Sequence, residues 1–360
     1  MVKLTVNKNI EHHENAINLL ARLKEKCYED NRLFSCVIEL LTRCQLRCTH
    51  CLIPQHNQPG LSRKVIFNLI DQLADLRCPT VCFTGGEIFL RSDLLDIIKH
   101  ASKRNLFIRL KTNGALITKS TADKLADNAI MQIDVSLYGP NAAIHDRITG
   151  SKGSFRSTIN AVRLLKKRNL NVEMIVTFMK QNASYFKAIS DLCASLNCGI
   201  TYSSFILPHL NGNLKPLKLM VTNKQRSRIN NYFQGGQPKV INSALEDTRD
   251  MKNKSNLCRT VWSTMIYICS NGDVNPCTIL YQKYGNILQK PLSKILKSPL
   301  RDYLSRKISI NDIEDCSACY RRNECENCRA LAHIDTKEIL GNSRLICYYM
   351  NMRDSQRRYV

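Results

Sequence analysis

Between residues 34 and 207, short runs of apolar and β-branched residues alternate with longer stretches whose apolar positions recur every three or four residues. The first run is SCVIELL (35–41). LSRKVIFNLIDQLADL (61–76) follows with helical spacing, then PTVCFT (79–84) as a strand and SDLLDIIKHASKR (92–104) as a helix with Ser92 in the N-cap position. Runs at 106–112, 131–137, 171–179 and 198–204 predict four more strands, separated by helices near 118–127, 154–168 and 184–196. Strand–helix alternation of this kind predicts a parallel sheet covered by helices. Six units predict an α/β fold, an open, partial (β/α)6 barrel whose ligands sit at the carboxyl ends of the strands.

After residue 207 the alternation stops. Residues 208–257 read as a bridging segment of loop, helix and Gly-rich chain, and 258–350 as a cysteine-rich domain with too little apolar pattern for an ordinary core, so that bound metal is expected to hold it together. Residues 1–33 form an N-terminal extension and 351–360 a basic tail. No apolar run approaches the roughly 20 residues that span a bilayer, and the N-terminus has no apolar segment of signal-peptide type. The expectation is a cytoplasmic protein with no membrane partner.

Composition changes this picture at two points. Seventeen cysteines in a chain of a reducing compartment point to bound metal rather than disulfides when they cluster. The formal charge is +23, from 53 Lys and Arg against 30 Asp and Glu. Such an excess suits an acidic peptide or an acidic cofactor precursor, or serves only as a solubilising surface. With one Trp and no aromatics interleaved among the basic stretches, a nucleic-acid platform is not supported.

Directly after the first predicted strand comes Cys44-x3-Cys48-x2-Cys51. Three thiolates on one tight loop can hold three irons of a cubane and leave the fourth without a protein ligand; a three-cysteine zinc site is the alternative. TGGE (84–87) closes the second predicted strand. The cysteine loop, with His50 in its aromatic position, together with Gly85, Gly86 and Glu87, resembles the radical S-adenosylmethionine (SAM) superfamily across 34–207. The resemblance implies a 4Fe-4S cluster on Cys44, Cys48 and Cys51, chelation of SAM by the open iron, and one-electron cleavage to a 5′-deoxyadenosyl radical that takes a substrate hydrogen. It implies that Gly85, Gly86 and Glu87 receive the SAM amino group, glycine allowing close approach and a carboxylate suiting an ammonium. Ile88 stands where the family often has proline. Asn113 and Ser136, at the ends of the third and fourth strands, match positions that contact ribose or the methionyl carboxylate, although an Asn-Gly turn and a buried strand serine explain them equally.

The C-terminal cysteines, Cys258, Cys277, then Cys316-x2-Cys319-x5-Cys325-x2-Cys328, then Cys347, resemble the SPASM domain of radical SAM maturases. That implies two auxiliary 4Fe-4S clusters, one on Cys316, Cys319, Cys325 and Cys347 and one with three ligands from Cys258, Cys277 and Cys328, its fourth position left to Cys269 or to a non-cysteine group. Zinc knuckles are the alternative, because paired CxxC spacings suit tetrahedral zinc. Enzymes of this type mostly modify ribosomally made peptides by crosslinking, epimerisation or side-chain oxidation; others mature tetrapyrrole or other cofactor precursors. Both readings stand as expectations, with a flavodoxin- or ferredoxin-type reductant. Because only about 33 residues precede the first strand, a separate leader-recognition protein, or direct recognition of a short substrate, is also expected. A non-catalytic electron carrier is a third reading, against which the open iron speaks. Thr278, after the second cysteine of the array, stands where sulfatase-maturing enzymes carry an aspartate; a hydroxyl is too weak a base for that chemistry at neutral pH.

Overall fold

The computed structural model describes residues 19–53, 55–210, 212–234, 263–305, 310–320 and 328–349. A helix over 19–29 (α1) leads into β1 (Ser35–Glu39), and five further parallel strands follow: β2 (Thr80–Thr84), β3 (Phe107–Thr112), β4 (Ile130–Ser136), β5 (Val172–Thr177) and β6 (Gly199–Ser203). Between them lie α2 (Arg63–Asp75), α3 (Leu94–Lys103), α4 (Lys119–Ala126), α5 (Ala142–Thr149), α6 (Ser154–Lys166) and α7 (Phe186–Ser195), with α8 (Asn223–Gln234) after β6. The six strands and the helices at 61–76, 92–104, 118–127, 154–168 and 184–196 read from periodicity are all present.

Consecutive strands are neighbours, and the sheet remains open, with β6 at one edge. Its two faces differ. Alternate positions such as Ile38, Phe83, Leu110, Ile133 and Val135 are fully buried in one core with Ile66, Ile70 and Leu73 of α2, Ile97 and Ile98 of α3 and Val162 and Leu165 of α6. The intervening residues, Val37, Cys82, Thr84, Arg109, Lys111 and Ser136, line a cavity instead. A parallel sheet covered on both faces is ordinarily apolar on both; polar residues on every other position of several strands mark the face that holds a ligand.

Two local expectations change. Ser92 does not cap α3: the N-cap is Asp93, without a side-chain cap bond, because its carboxylate is held by Arg91 at 2.7 and 2.9 Å. The short helix α5, absent from the sequence reading, begins at Asn141, whose side chain accepts from Ile144 N, and ends at Gly150 in the left-handed conformation.

The sheet also continues where the strand–helix alternation ends. MIYICSNGD folds as β7 (Met265–Ile268), a turn at Asn271 and Gly272, and β8 (Asp273–Asn275), followed by β9 (Gly285–Asn286). β7 pairs parallel with β1, matching Ser35 to Met265 and Ile38 to Ile268, and β8 and β9 add antiparallel strands to give a nine-stranded sheet. The cysteine-rich part is thereby anchored beside the first strand, whose carboxyl end carries the three-cysteine loop. Helices α9 (Arg329–Thr336) and α10 (Arg344–Tyr349) complete it, and the buried Arg329 donates to the carbonyls of Ile339 and Gly341. No helix among the described residues is long and apolar enough to cross a membrane.

Candidate functional site

The loop after β1 is held from two sides. Gly86 N donates to Leu41 O and Glu87 N to Arg43 O, each at 2.9 Å; on the other side Arg47 N and Thr49 N donate to the last carbonyls of α5, Thr149 and Ile148, also at 2.9 Å. This packing requires the two glycines: a Cβ on Gly85 would lie 2.3 Å from Leu41 O, and one on Gly86 2.3 Å from Arg43 O. The close approach is therefore first to the backbone leading into Cys44.

Cys44, Cys48 and Cys51 are half-buried and line a cavity of 620 Å³ together with His50, Gly85, Gly86, Asn113 and Ser136. Burial pushes the Cys48 thiol up to about 12, with the neighbouring Cys51 and Cys44 adding to it, and raises Cys44 and Cys51 as well. As free thiols the three are protonated at neutral pH, so a metal centre must displace their protons. Among the described residues no three His, Cys, Asp or Glu side chains converge tightly enough for a single ion. A tetrahedral zinc with Zn–S bonds of 2.3 Å would need sulfurs about 3.8 Å apart. A cubane spreads its thiolates more widely, and these three cysteines around an open cavity suit it.

His50 is edge-on to Tyr138, ring centroids 4.6 Å apart, and burial lowers its pKa to about 4, leaving it neutral with Nδ1 buried and without a hydrogen-bond partner among the described residues. Asn113 sits at the end of β3 with Oδ1 accepting from Gln45 Nε2 at 3.0 Å and from Ala115 N at 2.9 Å, and with Nδ2 3.8 Å from Cys44 Sγ. Ser136 ends β4 at the cavity wall. Glu87 is placed differently from the expectation of a carboxylate facing an ammonium. It is fully buried and is not part of the cavity wall. Its oxygens accept from Thr112 Oγ1 at 2.7 and 2.9 Å, Asn113 N at 2.8 Å and Phe89 N at 3.1 Å. Burial raises its pKa and these bonds oppose the rise. Its side chain ties the glycine loop to Asn113 and leaves Gly85 and Gly86 in the cavity wall.

The cavity wall also holds Arg109 and Lys111, which no sequence motif marks. Arg109 and Lys111 on β3 pair with Asp134 of β4 at 2.7 and 3.5 Å, and Gln132 donates to the same carboxylate at 2.7 Å. The signal was there: two cations at i and i+2 in a strand of a covered parallel sheet need a polar face. Tyr267 of β7 and Thr278 close the cavity from the C-terminal side.

Of the C-terminal cysteines, Cys258 and Cys325 lie outside the described residues. Cys316, Cys319 and Cys347 are close enough for the first two to raise the Cys347 pKa after burial, and Asn342 Oδ1 lies 4.0 and 3.8 Å from the Cys316 and Cys347 sulfurs. Cys277 is buried, accepts from Leu280 N at 3.3 Å and feels Cys328. Cys269 is elsewhere: Asn275 Nδ2 donates to its sulfur at 3.2 Å, and its other neighbours are Glu39, Tyr281 and Asp273.

A three-cysteine loop over a ligand cavity, beside a second cysteine-rich unit, defines an iron–sulfur enzyme. Residues 38–193 match the radical SAM superfamily and 258–320 an iron–sulfur cluster-binding domain, SPASM. The chain is 24% identical over 317 residues to the AdoMet-dependent heme synthase of Oleidesulfovibrio alaskensis, covering 81% of each, and 27% identical over 164 residues to the PqqA peptide cyclase of Rhodopseudomonas palustris, covering 45% of this chain and 44% of that one. Its fold is similar to that of Streptococcus suis SuiB bound to its precursor peptide SuiA, with a TM-score of 0.68 at 17% identity, over 91% of this chain and 79% of the other. The chain carries a radical SAM domain and a SPASM domain, and it is a radical SAM enzyme.

Proposed function

We propose that this enzyme abstracts hydrogen from a side chain of a peptide, with its cluster on Cys44, Cys48 and Cys51. When bound, the cluster and SAM supply a one-electron cleavage that yields the 5′-deoxyadenosyl radical. The protein's part is to bind, orient and exclude water. The backbone at Gly85 and Gly86 and the Asn113 amide present polar groups beside the cysteine loop, and His50 and Tyr138 provide a neutral, apolar wall for an adenine.

The observation that carries the substrate class is the size of the enclosure. A cavity of 620 Å³ is of the order that encloses one drug-sized ligand. Shared with SAM, that volume leaves room for one side chain of an extended peptide. Arg109 and Lys111, paired with Asp134, give the same wall a polar, charged lining that suits a polar side chain. A second reading, maturation of a tetrapyrrole, is favoured by the heme synthase relatives, which align along 81–86% of the chain where the peptide cyclase aligns along 45%. A ferredoxin- or flavodoxin-type reductant and a separate leader-recognition protein complete the proposal.

The test is anaerobic incubation with SAM, dithionite and either deuterated peptides encoded beside the gene or iron coproporphyrin. Deuterium appearing in 5′-deoxyadenosine from a peptide, and its loss when Cys44, Cys48 and Cys51 are all Ala, is the expected result. Turnover of the porphyrin alone would replace the peptide reading with the second.

A further inference from the structure

His56 stands in the turn that follows the three-cysteine loop, and its ring joins Arg47 to Cys51. Arg47 Nη1 lies 3.2 Å from His56 Nδ1, while the same nitrogen donates to Cys44 O at 2.6 Å and Leu46 O at 2.8 Å. His56 Nε2 lies 2.9 Å from Ile53 O and 3.4 Å from Cys51 Sγ. A carbonyl oxygen only accepts, so Nε2, 2.9 Å from Ile53 O, carries the proton, and in a neutral ring Nδ1 is left without one, facing the Arg47 guanidinium. In a cationic ring Nε2 carries a proton as well. In either charge state, then, His56 presents an N–H that is shared between the Ile53 carbonyl and the Cys51 sulfur.

We propose that His56 is a positioning residue that sets the reduction potential of the cluster on Cys44, Cys48 and Cys51 by donating its Nε2–H to the Cys51 sulfur, with Arg47 holding the ring. The electron comes from the external reductant and resides on the cluster, so the reduced centre carries one more negative charge than the oxidised one. A donor aimed at a ligating sulfur therefore favours the reduced form, and hydrogen bonds to the sulfurs are among the terms that set such potentials. Among the described residues the other donors reaching these sulfurs include Leu46 N, 3.4 Å from Cys44 Sγ, the Cys48 and Ile53 backbone N–H groups at Cys48 and Cys51, and Asn113 Nδ2, 3.8 Å from Cys44 Sγ. His56 is the side chain among them whose orientation a cation holds. The Arg47 guanidinium also donates into the cysteine loop at Cys44 O and Leu46 O, so its positive charge and the ring's N–H favour the reduced centre in one direction.

This inference rests on the proposed assignment of the three cysteines as ligands. If that assignment fails, the wild-type chain lacks the paramagnetic signal that changes on addition of SAM. If only the His56 inference fails, that signal is present and its potential does not move.

The experiment is an anaerobic redox titration of the full reconstituted chain, reading the SAM-responsive signal by electron paramagnetic resonance. His56→Leu is expected to lower the reduced-to-oxidised ratio at a fixed potential about tenfold, which for a one-electron couple is about 59 mV more negative. His56→Gln restores an N–H near the Nε2 position and is expected to recover most of the shift. A reduced-to-oxidised ratio in His56→Leu within twofold of wild type at the same potential, about 18 mV, at full iron content, overturns the proposal. Should His56→Leu fail to assemble the cluster, wild-type protein labelled with 15N-histidine decides. Nuclear double resonance on the reduced, SAM-responsive centre should show a coupled histidine nitrogen, and none being found overturns it equally.

Discussion

Acidification should loosen this fold through His145. The ring lies on α5, 1% exposed, packed between Tyr138 at 5.7 Å and Phe155 at 5.8 Å between centroids, and its Nδ1 accepts from Tyr138 N at 3.2 Å. Burial lowers its pKa to about 4; the neighbouring Asp146 carboxylate opposes this only in part. In the unfolded chain it titrates near 6.5. Between those values the unfolded state binds a proton that the folded state refuses, so stability is lost as pH falls from about 6.5 toward 4. A difference of about 2.5 units corresponds to about 3 kcal/mol in full, of which about 2 kcal/mol is already lost at pH 5. Against a typical domain stability of roughly 5–15 kcal/mol, that is measurable. Tyr138 N bonds to this ring and its own ring contacts His50, so the same protonation disturbs the cavity wall. The assay is urea denaturation of the cluster-free chain, followed by circular dichroism at pH 7 and pH 5, in wild type and His145→Asn. The amide keeps an acceptor near Nδ1 but does not titrate. The variant starts lower because ring packing is lost, and its stability should fall by about 2 kcal/mol less than wild type between the two pH values. An equal fall in both proteins would refute the reasoning.

Three further outcomes follow from the site. Anaerobically reconstituted protein should bind on the order of 12 irons if all three cysteine sets hold cubanes; about four irons with zinc in the C-terminal unit, by elemental analysis, would contradict this. Glu87→Ala leaves the buried Thr112 hydroxyl and the Asn113 and Phe89 amides without their acceptor, for a loss on the order of 3 kcal/mol, and should weaken SAM binding through the displaced Asn113 loop. Unchanged affinity by equilibrium dialysis would show that the loop does not depend on this carboxylate. Cys269→Ala should retain both auxiliary clusters, because its sulfur is engaged by Asn275 and Tyr281 while Cys277 faces Cys328; loss of one cluster's iron would make Cys269 its fourth ligand.

The parts legible in the chain itself are those set by local spacing. Six strands and their covering helices follow from periods of two and 3.6 residues, and the three-cysteine loop is legible because its cysteines lie within eight residues of chain, Cys44 to Cys51. Helix α5 escaped notice because it is one short helix of eight residues, whose capping residues, Asn141 and Gly150, carry more of the signal than its apolar positions. The joining of β7 to β1 was invisible because pairing between residues 35 and 265 depends on which edges the folded sheet leaves open, and a four-residue run such as MIYI carries no mark of its partner. Side-chain direction was likewise decided only in three dimensions. The GGE motif predicts a carboxylate near the ligand, but the hydroxyl of Thr112 and the amide of Asn113, 25 and 26 residues on, draw it inward. Arg47 and His56 stand near the motif in sequence, yet only the folded loop lines up guanidinium and imidazole toward the accepting Cys51 sulfur. A chain encodes its periodicities locally, whereas contacts between separate elements arise from their packing, and that packing gives the residues around the cysteine loop their chemistry.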